Sequence, residues 1–160
     1  MTQTPGAPGR DETEAERYDR NLTELMGELR VALPGVQVLF GFLLVAPFNA
    51  RFGQTTHFER RLYLAALLLT LLASILLIAP TMLHRLEFRQ GRKDYVVELG
   101  NRLTISGLTV LAAAMTCAIA LVTHYMFGQT TAIVTTIVTA AVFALVWFAI
   151  PLRRRRLAGN

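Results

Sequence analysis

Charged and uncharged positions alternate in long blocks along this chain. Four stretches, Val31–Ala50, Leu62–Leu83, Leu103–Thr123 and Gly128–Leu152, contain no charged residue and make up more than half of the 160 residues. Each is about as long as the roughly 20 residues a helix needs to cross bilayer hydrocarbon. A helix with one wet face would not lack charge over such lengths. The pattern predicts four membrane-spanning helices with little chain left over for a separate soluble domain.

Before the first stretch the pattern changes. Tyr18, Leu22, Leu25, Met26, Leu29 and Leu33 recur at three- and four-residue steps, the spacing of a helix with one apolar stripe. Glu16, Arg20 and Glu24 lie four apart on another face, where opposite charges can pair. This helix is net acidic, whereas lipid-surface helices are usually basic on their polar face, so it is expected to lie against protein. Pro34-Gly35 should kink or break the passage into the first span, because Pro34 lacks an N–H and crowds the carbonyl of Arg30.

The fold class read from these blocks is all-α. It is a four-helix transmembrane bundle preceded by a short cytoplasmic amphipathic helix. The expected divisions are a disordered tail at 1–10, the amphipathic helix at 11–30 and a four-span membrane domain at 31–152. Its spans are 31–50, 62–83, 103–127 and 128–152, and a basic tail follows at 153–160. Residues 51–61 form the first connection, flanked by Phe48, Phe52, Phe58 and Tyr63 as an interfacial aromatic belt. His84–Arg102 is the second connection, and its later part, Asp94–Arg102, can extend the third helix beyond the membrane. The third is a tight turn around Phe127-Gly128-Gln129, which makes the last two helices antiparallel neighbours.

Charge orients the chain. Thirteen Arg or Lys residues fall on the side of the N-terminal tail, second connection and C-terminal tail, against three in the first connection and none in the third. Basic residues favour the cytoplasmic side, which places both termini there, in a multi-pass protein of the cytoplasmic membrane. The net charge is +5. Because the basic residues flank spans, lipid accounts for them better than nucleic acid does. The run Arg153-Arg154-Arg155-Arg156 is read as an anionic-lipid contact. No cleavable signal peptide is apparent, so the first span serves as its own insertion signal.

Small residues repeat every four positions at Ala112, Thr116 and Ala120, and at Ala132, Thr136, Ala140 and Ala144. Such stripes let helix backbones approach in lipid, where no hydrophobic drive brings helices together. The alternative is chance, since alanine is common in these spans.

Candidate chemistry is sparse. The single cysteine, Cys117, rules out an intramolecular disulfide and reads as a small packing residue. No phosphate loop, serine elbow or metal-ligand pair at helical spacing occurs, so no catalytic residue, cofactor or metal site is assigned and the chain reads as a non-enzyme. His57 and His124 fall on one side and can share a metal, although interfacial histidines are ordinarily just solvated. The intramembrane polar candidates are Gln37 and Asn49. An amide in hydrocarbon needs a partner helix; it lines a polar path or makes a structural hydrogen bond. None of the four charge-free stretches holds the carboxylate that ion-coupled carriers commonly use.

A mixed cluster lies at the expected cytoplasmic edge: Glu28 and Arg30, then His84 and Arg85, then Glu98, Asn101 and Arg102. Two readings stand, a ring of salt bridges and hydrogen bonds or arginines snorkelling to headgroups. Glu98 is expected to pair with an arginine, either Arg102 or Arg85. The run Glu28-Leu29-Arg30-Val31, Gly35-Val36-Gln37 with Leu39-Phe40, Arg51-Phe52, Ala79-Pro80 with His84-Arg85, and Asn101-Arg102-Leu103 resembles a family of small four-span membrane proteins common in actinobacteria. That family is carried as a domain of unknown function, and some members are labelled sodium:proton antiporters by automated naming. The resemblance covers roughly residues 14 to 123 and implies the fold and the compartment rather than an activity. The function expected is a structural or accessory membrane component that acts through homo-oligomers or a larger partner. The alternative is a small cation or proton transporter or channel.

Overall fold

A computed structural model describes residues 14–87 and 93–150. All regular structure among them is helical: α1 (Glu14–Val45), α2 (His57–Glu87), α3 (Lys93–Phe127) and α4 (Gln129–Phe143). Two 3-10 turns, Ala46–Phe48 and Phe52–Gln54, join α1 to α2, and a π-helical segment, Ala144–Ala149, continues α4. All four helices are long and apolar enough to cross a membrane, α4 counted with its π-helical continuation. The tail at 1–10, the basic tail with Arg153–Arg156, and the middle of the second connection lie outside the described residues.

Two boundaries differ from expectation. The amphipathic helix and the first span are one helix of 32 residues with Pro34 inside it, not two segments broken at that proline. Pro34 and Arg30, whose carbonyl loses its donor, both face outward, while Leu29 and Val36 on either side are 2% and 0% exposed. Packing on both sides of the proline therefore holds the helical path. At its other end α1 stops at Val45, ahead of Pro47, because proline has no N–H to continue the helical ladder to the Leu43 carbonyl. The first span ends earlier than Ala50. Conversely, α2 begins at His57 rather than Leu62. The Thr56 hydroxyl accepts from the Glu59 N–H at 3.2 Å, and the Glu59 carboxylate accepts from the Thr56 N–H at 2.7 Å. This reciprocal cap satisfies two donors that would otherwise be orphaned at the helix start.

The core is a three-helix unit. Leu25, Leu29 and Val36 of α1 pack with Ala73 and Leu77 of α2 and Leu111 of α3. The amphipathic stripe thus lies against the chain's own helices. The α2–α3 interface is the most extensive, and it closes tightly at Gly107. A Cβ there would sit 2.8 Å from Leu77 Cγ and 3.2 Å from Leu76 Cβ. Gly100 is similarly close to Leu25 and Pro80.

The fourth helix is a departure from a closed four-helix bundle. Among the described residues it packs on α3 and on no other long helix. A single residue, Gly128, separates the two helices; its φ of 84° suits glycine and strains a residue bearing a Cβ. The stripe on α3 is inside or half-buried, with Ala112 and Ala120 buried. On α4 only Ala132 is buried; Thr136 is partly covered, and Ala140 and Ala144 are exposed. Among the described residues the expected contact face therefore holds over the first half of α4, while its positions in the second half are uncovered.

Candidate functional site

Most polar side chains within the spans are spent locally. The hydroxyls of Thr70, Ser74, Thr104, Thr116 and Thr136 each donate to the carbonyl four residues back, at 2.6–2.9 Å. That satisfies them without a partner helix and leaves no string of free polar groups through the core.

The chemistry gathers instead at the end of the helices away from Glu14, where α1 stops, the two 3-10 turns cross, α2 starts and α3 ends. There the Glu59 side chain is 8% exposed and His124 is 21% exposed, with Oε1 of Glu59 3.1 Å from Nδ1 of His124. A carboxylate only accepts hydrogen bonds, so Nδ1 carries the proton and donates. Oε2 of Glu59 takes the Thr56 N–H at 2.7 Å and the Thr56 hydroxyl at 3.0 Å. Three donors thus converge on one buried carboxylate, and the cap of α2 is tied to the last turn of α3. The Phe58 ring lies 5.0 Å from the imidazole and covers it.

Beside this pair is an open cavity of about 580 Å³. Leu39, Phe42 and Leu43 of α1 form one wall and Ala118, Leu121 and Val122 of α3 the other; Asn49, Arg51, Thr55, Glu59 and Tyr63 supply its polar rim. Tyr63 donates to the Leu43 carbonyl at 2.9 Å and stacks edge-on with Phe52 at 5.1 Å. Thr55 donates to the Phe52 carbonyl at 2.7 Å. Asn49 Oδ1 accepts from the Arg51 N–H at 3.0 Å, a local turn of the kind asparagine favours.

The sequence candidates fall in three places. Asn49 belongs to this rim and to a turn between helices, not to a span interior as expected. Gln37 lies mid-helix on α1, exposed and outside the cavity lining. The seven-residue edge cluster lies at the opposite end of the helices from the cavity. Glu98 pairs with Arg102 on its own helix, both side chains being about 70% exposed or more. Glu28, Arg30, Arg85 and Asn101 are also exposed, and no described contact joins them to that pair. His84 is half-buried. His57 is exposed and His124 is engaged by Glu59, and among the described residues no His, Cys, Asp and Glu group has the arrangement of a metal site.

Glu59 is the residue that sequence reasoning missed, because it was counted within a loop. The Thr56-x-x-Glu59 spacing ahead of an apolar run was the available signal, the sequence mark of a capped helix start.

A protein-family model described as "Family of unknown function (DUF6328)" matches residues 11–151. The match extends through the fourth span, beyond the part of the chain where short motifs are concentrated. Comparison with curated proteins and with solved structures finds no match.

Proposed function

The chain belongs to the DUF6328 family, whose function is unknown, and we propose that it is a non-enzymatic multi-pass protein of the cytoplasmic membrane that works by assembly. In this reading both termini are cytoplasmic, the arginine run at 153–156 contacts anionic lipid, and the protein is a structural or accessory component joined to a second copy of itself.

Gln37 carries this reading. Its amide sits inside a charge-free stretch, six positions after Val31, exposed on α1 and bonded to no other described residue. An amide left unpaired in an apolar medium costs about 2–7 kcal/mol depending on the reference state. An amide both donates and accepts, so the same group on a second copy satisfies it. Arg30, Pro34, Gln37 and Gly41 share one exposed strip at steps of four, three and four residues, and Gly41 faces open space. That strip allows a second α1 to approach at backbone distance. The test is the energy transfer between labelled copies diluted in bilayers. Gln37→Leu should weaken association about fivefold, in line with the ~1 kcal/mol of an interhelical hydrogen bond in a membrane. A parent that stays monomeric, or a Gln37→Leu variant that associates equally well, overturns the reading.

The alternative of a small cation or proton transporter draws on the buried Glu59–His124 pair, which is the one acid–base couple inside the described helices' packing. A path from it along the bundle axis meets Val36, Ala73 and Leu77, each with no exposure. Gln37 is exposed on α1 away from it, and the buried hydroxyls of Thr70 and Thr104 are spent on carbonyls of their own helices. Protein in liposomes is therefore expected to leave sodium and proton gradients intact, and measured flux would favour transport over assembly.

A further inference from the structure

We propose that the cavity beside Glu59 is a binding site for one anionic phospholipid of the adjacent leaflet, with its phosphate at Arg51 and its acyl chain between α1 and α3. The inference rests on the membrane reading above.

The cavity's volume, about 580 Å³, lies within the ~300–1,000 Å³ typical of small-molecule sites. Its walls are mostly apolar, too apolar for a small inorganic ion. Phe42 is 73% exposed and Val122 51% exposed on opposite walls, so the cavity opens sideways between α1 and α3. In a bilayer that opening faces acyl chains. The 3-10 turns above it bring Phe52 and Arg51 to headgroup level.

The polar rim decides the headgroup. Tyr63 and Thr55 have donated their hydroxyls to backbone carbonyls, the Glu59 carboxylate already accepts three hydrogen bonds, and Asn49 Oδ1 accepts the Arg51 N–H. The unused charged group is a donor, the Arg51 guanidinium, which has no described partner, and the Asn49 side-chain NH2 lies beside it. Neighbouring Arg60 is spent on Thr55 and the Gly53 carbonyl. A rim with free donors and an occupied carboxylate selects an acceptor-only anionic group, and guanidinium matches phosphate oxygens in a two-pronged geometry.

The full chain in mild detergent is offered phosphatidylglycerol or phosphatidylcholine with identical acyl chains, and bound lipids are counted by native mass spectrometry. The parent should hold one phosphatidylglycerol about tenfold more tightly than phosphatidylcholine, the scale of a charged hydrogen bond. Arg51→Gln should abolish the preference, and Arg61→Gln, an exposed arginine of the same region that does not line the cavity, should keep it. Ala118→Phe, which fills the cavity, should release both lipids. If that variant does not fold, the exposed Arg51 position carries the test. No headgroup preference in the parent, undiminished preference in Arg51→Gln, an equal loss in Arg61→Gln, displacement by inorganic phosphate alone, or a lipid-free dimer closed over the cavity would each overturn the proposal. Extraction of membranes with alkaline carbonate separates the two failures: release of the chain overturns the membrane reading itself, and retention without selective lipid overturns the cavity assignment alone.

Discussion

Glu59 and His124 are 65 residues apart in sequence, yet their side chains meet at 3.1 Å. The contact joins the first turn of α2 to the last turn of α3 and leaves the carboxylate 8% exposed. Glu59 therefore holds a helix start and a helix end at once.

Removing either partner should show that double role. Glu59→Ala loses the cap and the His124 contact, and it should cost about 2 kcal/mol, the sum expected for a lost cap and a lost charged hydrogen bond. His124→Ala should cost less, since the cap survives. Thermal unfolding of both single variants and the double variant in detergent should reveal coupling of about 0.5 kcal/mol or more. Additive effects would mean that the pair does not form.

At Gly107 the expected effect is steric. Ala gains about 1 kcal/mol of helix propensity over Gly, but its Cβ would press on Leu77, which is fully buried and cannot swing aside. Overpacking of this kind typically costs about 1–3 kcal/mol. Gly107→Ala should therefore lower the unfolding midpoint, and a raised midpoint would show that α2 and α3 are not so close.

The two ends of the α4 stripe should behave differently. Ala132→Leu forces bulk into the α3 contact and should destabilise by about 1–3 kcal/mol, whereas Ala140→Leu, on the uncovered half, should leave the unfolding midpoint of the isolated chain unchanged. A large loss at Ala140 would mean that another surface covers it.

For the exposed Glu98–Arg102 pair, neutralising Glu98 should cost no more than a few tenths of a kcal/mol, as for other same-helix pairs in water. Glu98→Gln and Arg85→Gln should be additive. Coupling between them in a double-mutant cycle would bring Arg85 into the pair.

Orientation is checked by labelling. In a Cys117→Ser background, a cysteine at Gln54 should react with an impermeant thiol reagent on intact cells, and cysteines at Thr4 or Gly159 should not. The reverse pattern would invert the topology argued from arginine counts.

The four long apolar helices were legible because the absence of charge over whole blocks is a property of composition, insensitive to exact packing. The tight α3–α4 turn was equally plain, since Gly128 stands between two unbroken apolar runs. At Pro34 the local rule allows a kink or a break and takes no account of the packing of Leu29 and Val36, which keeps α1 continuous. The small-residue stripe on α4 identified a repeat but not which part of it is covered, as Ala132 and Ala140 are chemically alike and differ only in what stands opposite. The Glu59–His124 contact depends on how α2 and α3 align end to end, and no local spacing encodes that alignment. Its capping half, Thr56 with Glu59, is local and was readable.

The one-residue turn at Gly128 also bears on biosynthesis. From Leu103 to Leu152 the chain has no Asp, Glu, Lys or Arg, and the turn leaves almost nothing polar to carry across a bilayer between α3 and α4. In the proposed topology such a hairpin would enter hydrocarbon as a single object, with its direction set by Arg102 at one foot and the arginines after Leu152 at the other. In that topology the far side would hold no Asp, Glu, Lys or Arg of this half of the protein, and the Glu59–His124 contact would act as the latch that sets how deeply the hairpin sits beside the helices that preceded it.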